Sequence, residues 1–417
     1  MRLSVFSIYV LLSLLSKNGL SQEHTDLVPL DLNSKISALI DFGIKNKAFP
    51  GAQVLIFKHD SIRLHKAYGY HTYDSITPVS KEDLYDLASV TKVIGSTLAL
   101  MKLYELYDLD IDQPASKLIP ILKRSNKKKH SFREILSHSA GWLPYIAHQN
   151  LVFKKQGEFK KNTLSYIQTD TFPHQVSDSL FVHKRYQKKI YRRIKKTKVT
   201  RFGEMVYSGM FYFFIPYLVK SMSGLTLPDF LDTHFYQPME LERLSFLPIQ
   251  KFPKTKIVPT EHDSLFRKKL IQGWVHDEAA SLMGGISGNA GLFANAASIA
   301  PLLEMLLQKG SYQGKKYISP ETITLFTQRA YPNSTNPRGL GFDKPSLDRN
   351  DENRYPSTLV SPETFGHTGY TGTMVWVDPT NDCYVILLSN RVYPSRTQRA
   401  LYDLNIRPQL LDHVIQD

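Results

Sequence analysis

Apolar residues recur along this chain in two rhythms, and the rhythm changes twice. Residues 31–48 carry apolar side chains at helical spacing and predict a helix. Two runs rich in β-branched and aromatic residues follow, "AQVLIFK" (52–58) and "RLHKAYGYH" (63–71), and the polar "HDSI" between them predicts a β-hairpin. From "LASVTKVIGSTLAL" (87–100) onward the pattern turns helical: Val90, Ile94, Leu98 and Met101 form one stripe on a helix that opens near Ser89. "FREILSHS", "FIPYLVKSM" and "SIAPLLEMLLQ" continue that pattern. Near the end, "GTMVWVD" (372–378) and "CYVILLSN" (383–390) are strand-like and split by "PTND", a second hairpin signal. A helix over about 395–415 closes the chain. Strands at both ends with helices between predict an α+β fold: an antiparallel sheet flanked by helices, with a mostly helical region inserted. The sheet part spans about 31–80 and 335–417, and the helical part about 81–334.

The first residues break this pattern. One arginine precedes an apolar run (residues 3–15), and small and polar residues follow up to Ser21. Such a segment predicts a signal peptide over residues 1–21 and a periplasmic or secreted protein, with one folded domain over 22–417. The run is shorter than the roughly 20 residues a membrane span needs. Cys383 is the only cysteine among 417 residues, which excludes an intramolecular disulfide and a cysteine-based zinc site.

The net charge is +14, and much of it sits in "HKRYQKKIYRRIKKTK" (183–198). Tyr186, Ile190 and Ile194 recur every four residues there, so one narrow apolar stripe pins an otherwise basic helix. Two readings stay open: a solvated helix face, or attraction to an anionic envelope surface. An exported protein rarely meets nucleic acid, so no nucleic-acid partner is expected.

Candidate chemistry starts at Ser89 and Lys92. Ser-x-x-Lys on a helix puts both side chains on one face. A serine hydroxyl is a poor nucleophile until a base takes its proton, and a lysine in its neutral form can be that base. The bland alternative is a capping serine beside a lysine that reaches to water. Ser125–Lys128 has the same spacing but lies in a basic loop, whereas Ser89 precedes an apolar stripe. His276-Asp277-Glu278 superficially suggests a metal cluster, yet three adjacent residues cannot converge on one ion from a helix or strand. No H-E-x-x-H and no G-x-S-x-G occurs. No metal or cofactor is expected.

Further segments change the weight of Ser89. "MVYSGMFYFF" places Tyr207 ahead of an apolar helix, and "FGHTGYTGT" (365–373) places His367, Thr368 and Gly369 before a long strand. Together with "LSHSAGW" (136–142), "GWVHDEAASLMGGISGNAGLF" (273–293) and "RGLGFDKP" (338–345), the chain resembles the serine β-lactamase and penicillin-binding protein superfamily. It is most similar to the class C β-lactamase-like branch, which includes D-alanyl-D-alanine carboxypeptidases and esterases. The resemblance implies the β-lactamase/penicillin-binding fold and acyl transfer to water through an acyl-serine. It implies Ser89 as nucleophile, Lys92 as base and Tyr207 as proton shuttle. His367, Thr368 and Gly369 would line the opposite wall, and the N–H groups of Ser89 and Tyr370 would form the oxyanion hole. The implied substrate is a D-alanyl peptide of peptidoglycan type or a small ester. One departure stands out. The family carries Asn or Asp two residues after the tyrosine, and this chain has Gly209, which leaves open another polar group in its place, a narrower activity, or a non-catalytic protein of the same fold.

Overall fold

The N-terminal helix Leu32–Lys45 and the hairpin of β1 (Gly51–Lys58) and β2 (Ser61–Gly69) form where the pattern predicts them. The computed structural model describes residues 31–348 and 355–417, so the expected export segment 1–21 lies outside the described residues. His59 and Asp60 turn the hairpin with φ of 48° and 62°, the left-handed values that a two-residue connection requires. β3 (Phe365–Thr368), β4 (Met374–Asp378) and β5 (Cys383–Ser389) complete a five-stranded sheet of order β3-β4-β5-β1-β2. All neighbouring strands are antiparallel. The two halves of the sheet join where β1 pairs with β5, from Ala52 opposite Ser389 to Lys58 opposite Cys383.

β1, β4 and β5 are buried along their whole length, because both sheet faces are covered. Val54, Ile56, Val385 and Leu387 pack with Ile36, Ile40, Ile406 and Leu410 of the terminal helices. Leu55, Phe57, Ile386 and Leu388 point the other way, into the larger core with Ile299, Leu302 and Leu303 of the helix Ala296–Leu307. Period-2 alternation therefore sorts apolar residues between two cores, not between core and water. Truncating a side chain such as Ile386 to alanine should cost about 2–5 kcal/mol.

The inserted region is less regular than the sequence predicts. It contains two three-stranded ladders, one of Leu164–Ser165, Leu180–Val182 and His174–Ser177, the other of Tyr85–Asp86, Leu292–Ala294 and Leu244–Phe246. The basic helix is Tyr186–Lys196, and Tyr186, Ile190 and Ile194 are fully buried, so its apolar stripe does pin it. The closing helix is split into Ala400–Asp403 and Ile406–Gln416, with Asn405 at φ 50° between them. Residues 395–399 are not helical, because Arg396 is held by Glu261 through both its backbone N–H and its guanidinium. Among the described residues no helix is long and apolar enough to cross a membrane.

Candidate active site

Ser89 sits on a single 3₁₀ turn, Ala88–Val90, not at the start of a regular α-helix. Residues Lys92–Thr97 form a wide π-helical turn, and α-helix begins only at Leu98. The reason lies in the neighbours. Tyr236 donates its hydroxyl to the carbonyl of Ile94 at 2.9 Å, and Ser96 Oγ bonds Gly288 O at 2.7 Å. Wide turns of this kind occur often at functional sites. Ahead of the serine, Ala88 is held at φ 45°, a left-handed value unusual for alanine. Buried Asp86 fixes that corner, accepting from Ala88 N at 2.8 Å and from His276 N at 2.6 Å.

The turn brings the expected pair together. Lys92 is buried, and its Nζ lies 2.8 Å from Ser89 Oγ and 2.9 Å from the carbonyl of Asn289. Tyr207 reaches from the far side, its hydroxyl 3.3 Å from Ser89 Oγ. Lys92 Nζ lies 5.6 Å from the Tyr207 ring centroid and 5.4 Å from that of Tyr212. One serine oxygen is thus in reach of both an amine and a phenol, an arrangement able to pass a proton away from Oγ and back to a leaving group.

The opposite wall is the sheet edge. Gly369 closes the β3–β4 connection against Ser89's own segment: Thr371 Oγ1 bonds Asp86 O at 2.7 Å and Thr373 Oγ1 bonds Leu87 O at 2.9 Å. A Cβ on Gly369 would stand 2.0 Å from Thr373 Oγ1 and 2.5 Å from Leu87 O, so only glycine fits. Thr368 is half-buried at the end of β3. Tyr370 is exposed at the cleft mouth, its ring stacked near His276 with centroids 5.8 Å apart. His367 is buried 5.9 Å from the Tyr207 ring, and its Nδ1 lies 2.7 Å from Thr368 O. Burial is the main force lowering its pKa to about 4; Asp343 opposes the shift, while Arg338 and Lys92 add to it. The imidazole is therefore neutral near pH 7.

These groups open onto a cavity of about 510 Å³. Its lining includes Ser89, Lys92, Tyr207 and Tyr370, with Pro144, Tyr145, Met210 and Phe213 as apolar walls. A larger open groove of about 890 Å³, bordered by Glu105, Asp108 and Lys316, contains none of the serine-site groups. Chemistry, not volume, marks the site. Gly209 also faces the 510 Å³ cavity, its backbone lies outside the left-handed region, and an added Cβ would meet no atom within 4 Å. The glycine is not imposed by sterics.

His276, Asp277 and Glu278 do not converge on an ion. His276 Nε2 contacts Glu261 at 2.8 Å, Asp277 caps the helix Glu278–Leu282, and Glu278 pairs with Arg396 at 2.7 Å. No group of ligands able to hold a metal occurs among the described residues. His138 accepts from Ser208 N at 3.1 Å and packs on Tyr207 with ring centroids 4.7 Å apart.

Sequence reasoning missed the support behind Tyr207. Arg338 forms a short ion pair with Asp343, its guanidinium lies 5.5 Å from the Tyr207 ring centroid, and Tyr355 donates to Asp343 at 3.0 Å. Burial works against the charge of Asp343, but Arg338 and then His367 outweigh it and hold its pKa below the usual carboxylate range. The only signal was the pairing of opposite charges five residues apart inside the glycine-rich "RGLGFDKP".

The fold and this site define a penicillin-binding-type serine hydrolase. The family description Beta-lactamase matches residues 35–407, and the chain belongs to that family. A protein of Salmonella agona (strain SL483), provisionally named a D-alanyl-D-alanine carboxypeptidase, is 30% identical over 384 residues, covering 84% of this chain and 82% of that protein. The solved structure of EstCE1, described as a hydrolase with promiscuous acyltransferase activity, has TM-score 0.64 at 19% identity, covering 91% of this chain and 98% of that one. The octameric penicillin-binding protein homologue from Pyrococcus abyssi has TM-score 0.62 at 19% identity, covering 89% and 76%.

Proposed function

We propose that the chain is an exported D,D-carboxypeptidase-like hydrolase that cleaves D-alanyl peptides of cell-wall type through an acyl-Ser89 intermediate. The observation that carries this reading is the 2.8 Å contact of Lys92 Nζ with Ser89 Oγ, with the Tyr207 hydroxyl 3.3 Å from the same oxygen. Lys92, as a neutral amine, takes the serine proton while Oγ attacks the carbonyl carbon. The N–H groups of Ser89 and Tyr370 receive the oxyanion. The tetrahedral species collapses, the bond to the leaving amine breaks, and Tyr207 delivers the proton to it. Water then attacks the acyl-serine by the same route in reverse. His367, Thr368 and Gly369 form the wall along which the substrate lies. No metal or cofactor enters the scheme.

Support for the substrate comes from the name of the Salmonella relative, and support for a periplasmic or secreted location from the apolar run at residues 3–15. Cleavage of small esters is a second reading, favoured by Gly209: the position beside Tyr207 where the family carries an amide or carboxylate has no side chain, although Gln149 and Asn289 line other parts of the same cavity. A non-catalytic binder would need the same glycine to silence the site. Intact-mass measurement after exposure to a fluorescent penicillin and to a fluorophosphonate separates the readings. Adducts with both support the peptidase, an adduct with the fluorophosphonate alone supports the esterase, and adducts with neither overturn the acyl-serine mechanism.

A further inference from the structure

The net charge of this protein is not spread over its surface. Residues 123–129, "KRSNKKK", hold five lysines and arginines, residues 184–198 hold nine, and neither segment contains an acid. The chain has 52 Lys and Arg in all; removing these 14 leaves 38, which equals its 38 Asp and Glu. Outside the two segments the chain is formally neutral, and the whole excess of +14 lies within them.

The fold joins the two segments into one surface. Helix Tyr186–Lys196 packs on the turn Pro120–Leu122, with Ile190, Ile194 and Leu122 in a common core. Just beyond, the carbonyl of Thr197 accepts from both Asn126 Nδ2, at 3.1 Å, and Lys127 Nζ. Lys127 is buried as the clasp, over the Trp142 ring at 5.7 Å. Ten of the fourteen cations are exposed, and among the described residues no carboxylate lies within 4.0 Å of any of those ten. Burial, then the nearby charges of Lys189, Arg185 and Lys184, push the His183 pKa down. At the patch border Phe202 packs on His130 with ring centroids 5.3 Å apart, yet is 58% exposed. An aromatic side chain held out beside unpaired cations is the chemistry of a lipid–water interface, where an apolar residue enters the acyl boundary and lysines meet headgroup phosphates.

We infer that the composite surface of residues 123–129 and 184–198, with Phe202 at its edge, docks the protein on an anionic phospholipid bilayer. This surface contains none of the groups of the serine site and stands independently of the catalytic reading. A membrane fits this combination better than a nucleic acid, because a single exposed aromatic at the edge of the patch can enter the acyl boundary but offers no row of stacking platforms for successive bases.

The test is co-sedimentation of the purified chain 22–417 with vesicles of phosphatidylcholine alone or with 30% phosphatidylglycerol, at low and high salt. Binding is expected to the anionic vesicles only and should vanish in roughly 0.5 M salt, where exposed charges are screened. Lys188→Glu/Arg192→Glu/Lys196→Glu on the helix and Lys123→Glu/Arg124→Glu/Lys128→Glu on the loop should each weaken binding by roughly a hundredfold. Phe202→Ser should weaken it severalfold, with the salt dependence retained. The control Lys45→Glu/Lys316→Glu should bind as the parent, and thermal melts and circular dichroism confirm that each variant is folded. Equal binding to neutral vesicles, full binding by either triple variant, or tighter binding to a DNA duplex than to anionic vesicles at the same salt would overturn the inference.

Discussion

Lys92 Nζ touches Ser89 Oγ at 2.8 Å, and its other close partner is a backbone carbonyl, that of Asn289, at 2.9 Å. No side-chain amide or carboxylate is within hydrogen-bonding distance of this amine among the described residues. The family's position for such a group is Gly209. Lysine orientation here therefore depends on the Gly288–Leu292 segment, where Lys92 and Ser96 bond carbonyls and Thr91 Oγ1 accepts from Leu292 N at 3.2 Å.

Lys92→Arg should lose at least about 100-fold in acylation rate, because arginine keeps its proton and cannot act as the base. The check is pre-steady-state acylation by an activated ester. A variant that keeps most of the rate would move the base elsewhere.

Gly209→Asn should fold normally. Its Cβ meets nothing within 4 Å and the backbone is of ordinary sign, so the change in stability should stay within about 1 kcal/mol. Placing an amide at position 209, beside Tyr207, should raise penicillin acylation by at least about tenfold and leave nitrophenyl ester cleavage nearly unchanged. Parallel acylation kinetics of the two proteins decide the matter. Fast penicillin turnover by the unmodified chain would show that the glycine is no handicap.

Gly369→Ala is the opposite case. Contacts of 2.0 Å and 2.5 Å cannot be relieved without moving Thr373 or Leu87, and Leu87 precedes the Ser89 turn. Destabilisation of about 2–4 kcal/mol is expected, together with loss of labelling. Denaturant melts and labelling stoichiometry would reveal an alanine that is accommodated.

How much of this could be read in the sequence depended on what kind of fact each was. The hairpins at His59-Asp60 and in "PTND" rest on local turn chemistry, and they stand where the pattern puts them. The Ser89–Lys92 contact needs only an i,i+3 spacing, which survives the change from α-helix to a 3₁₀ turn and a wide turn. That change itself was illegible, because it follows from the Tyr236 hydroxyl, 142 residues away in sequence, capturing the Ile94 carbonyl. Arg338 and Asp343 were hidden for the same reason: their meaning comes from Tyr207 and His367 lying beside them in space. The small β-ladders within residues 164–182 are too short for any periodicity to show.

Acid should destabilise the fold through histidines that are buried in their neutral form. His367 has a pKa of about 4, mainly through burial, and His148 likewise, through burial and then Arg193, against 6.5 for an exposed histidine. Both are depressed, so their contribution to stability is full above pH 6.5 and is lost as pH falls toward 4. Each carries on the order of 3 kcal/mol at most across that window. Melts between pH 7.5 and 4 should fall steeply below 6.5, and His367→Gln should flatten the slope. An unchanged slope in that variant would assign the acid sensitivity to other groups.

The central claim is that Ser89 becomes acylated. Intact-mass and peptide mapping after fluorophosphonate treatment should find one adduct, on the peptide containing Ser89. Ser89→Ala should abolish it, while Ser125→Ala, at the second Ser-x-x-Lys, should leave it unchanged. A full adduct on the Ser89→Ala protein would contradict the account.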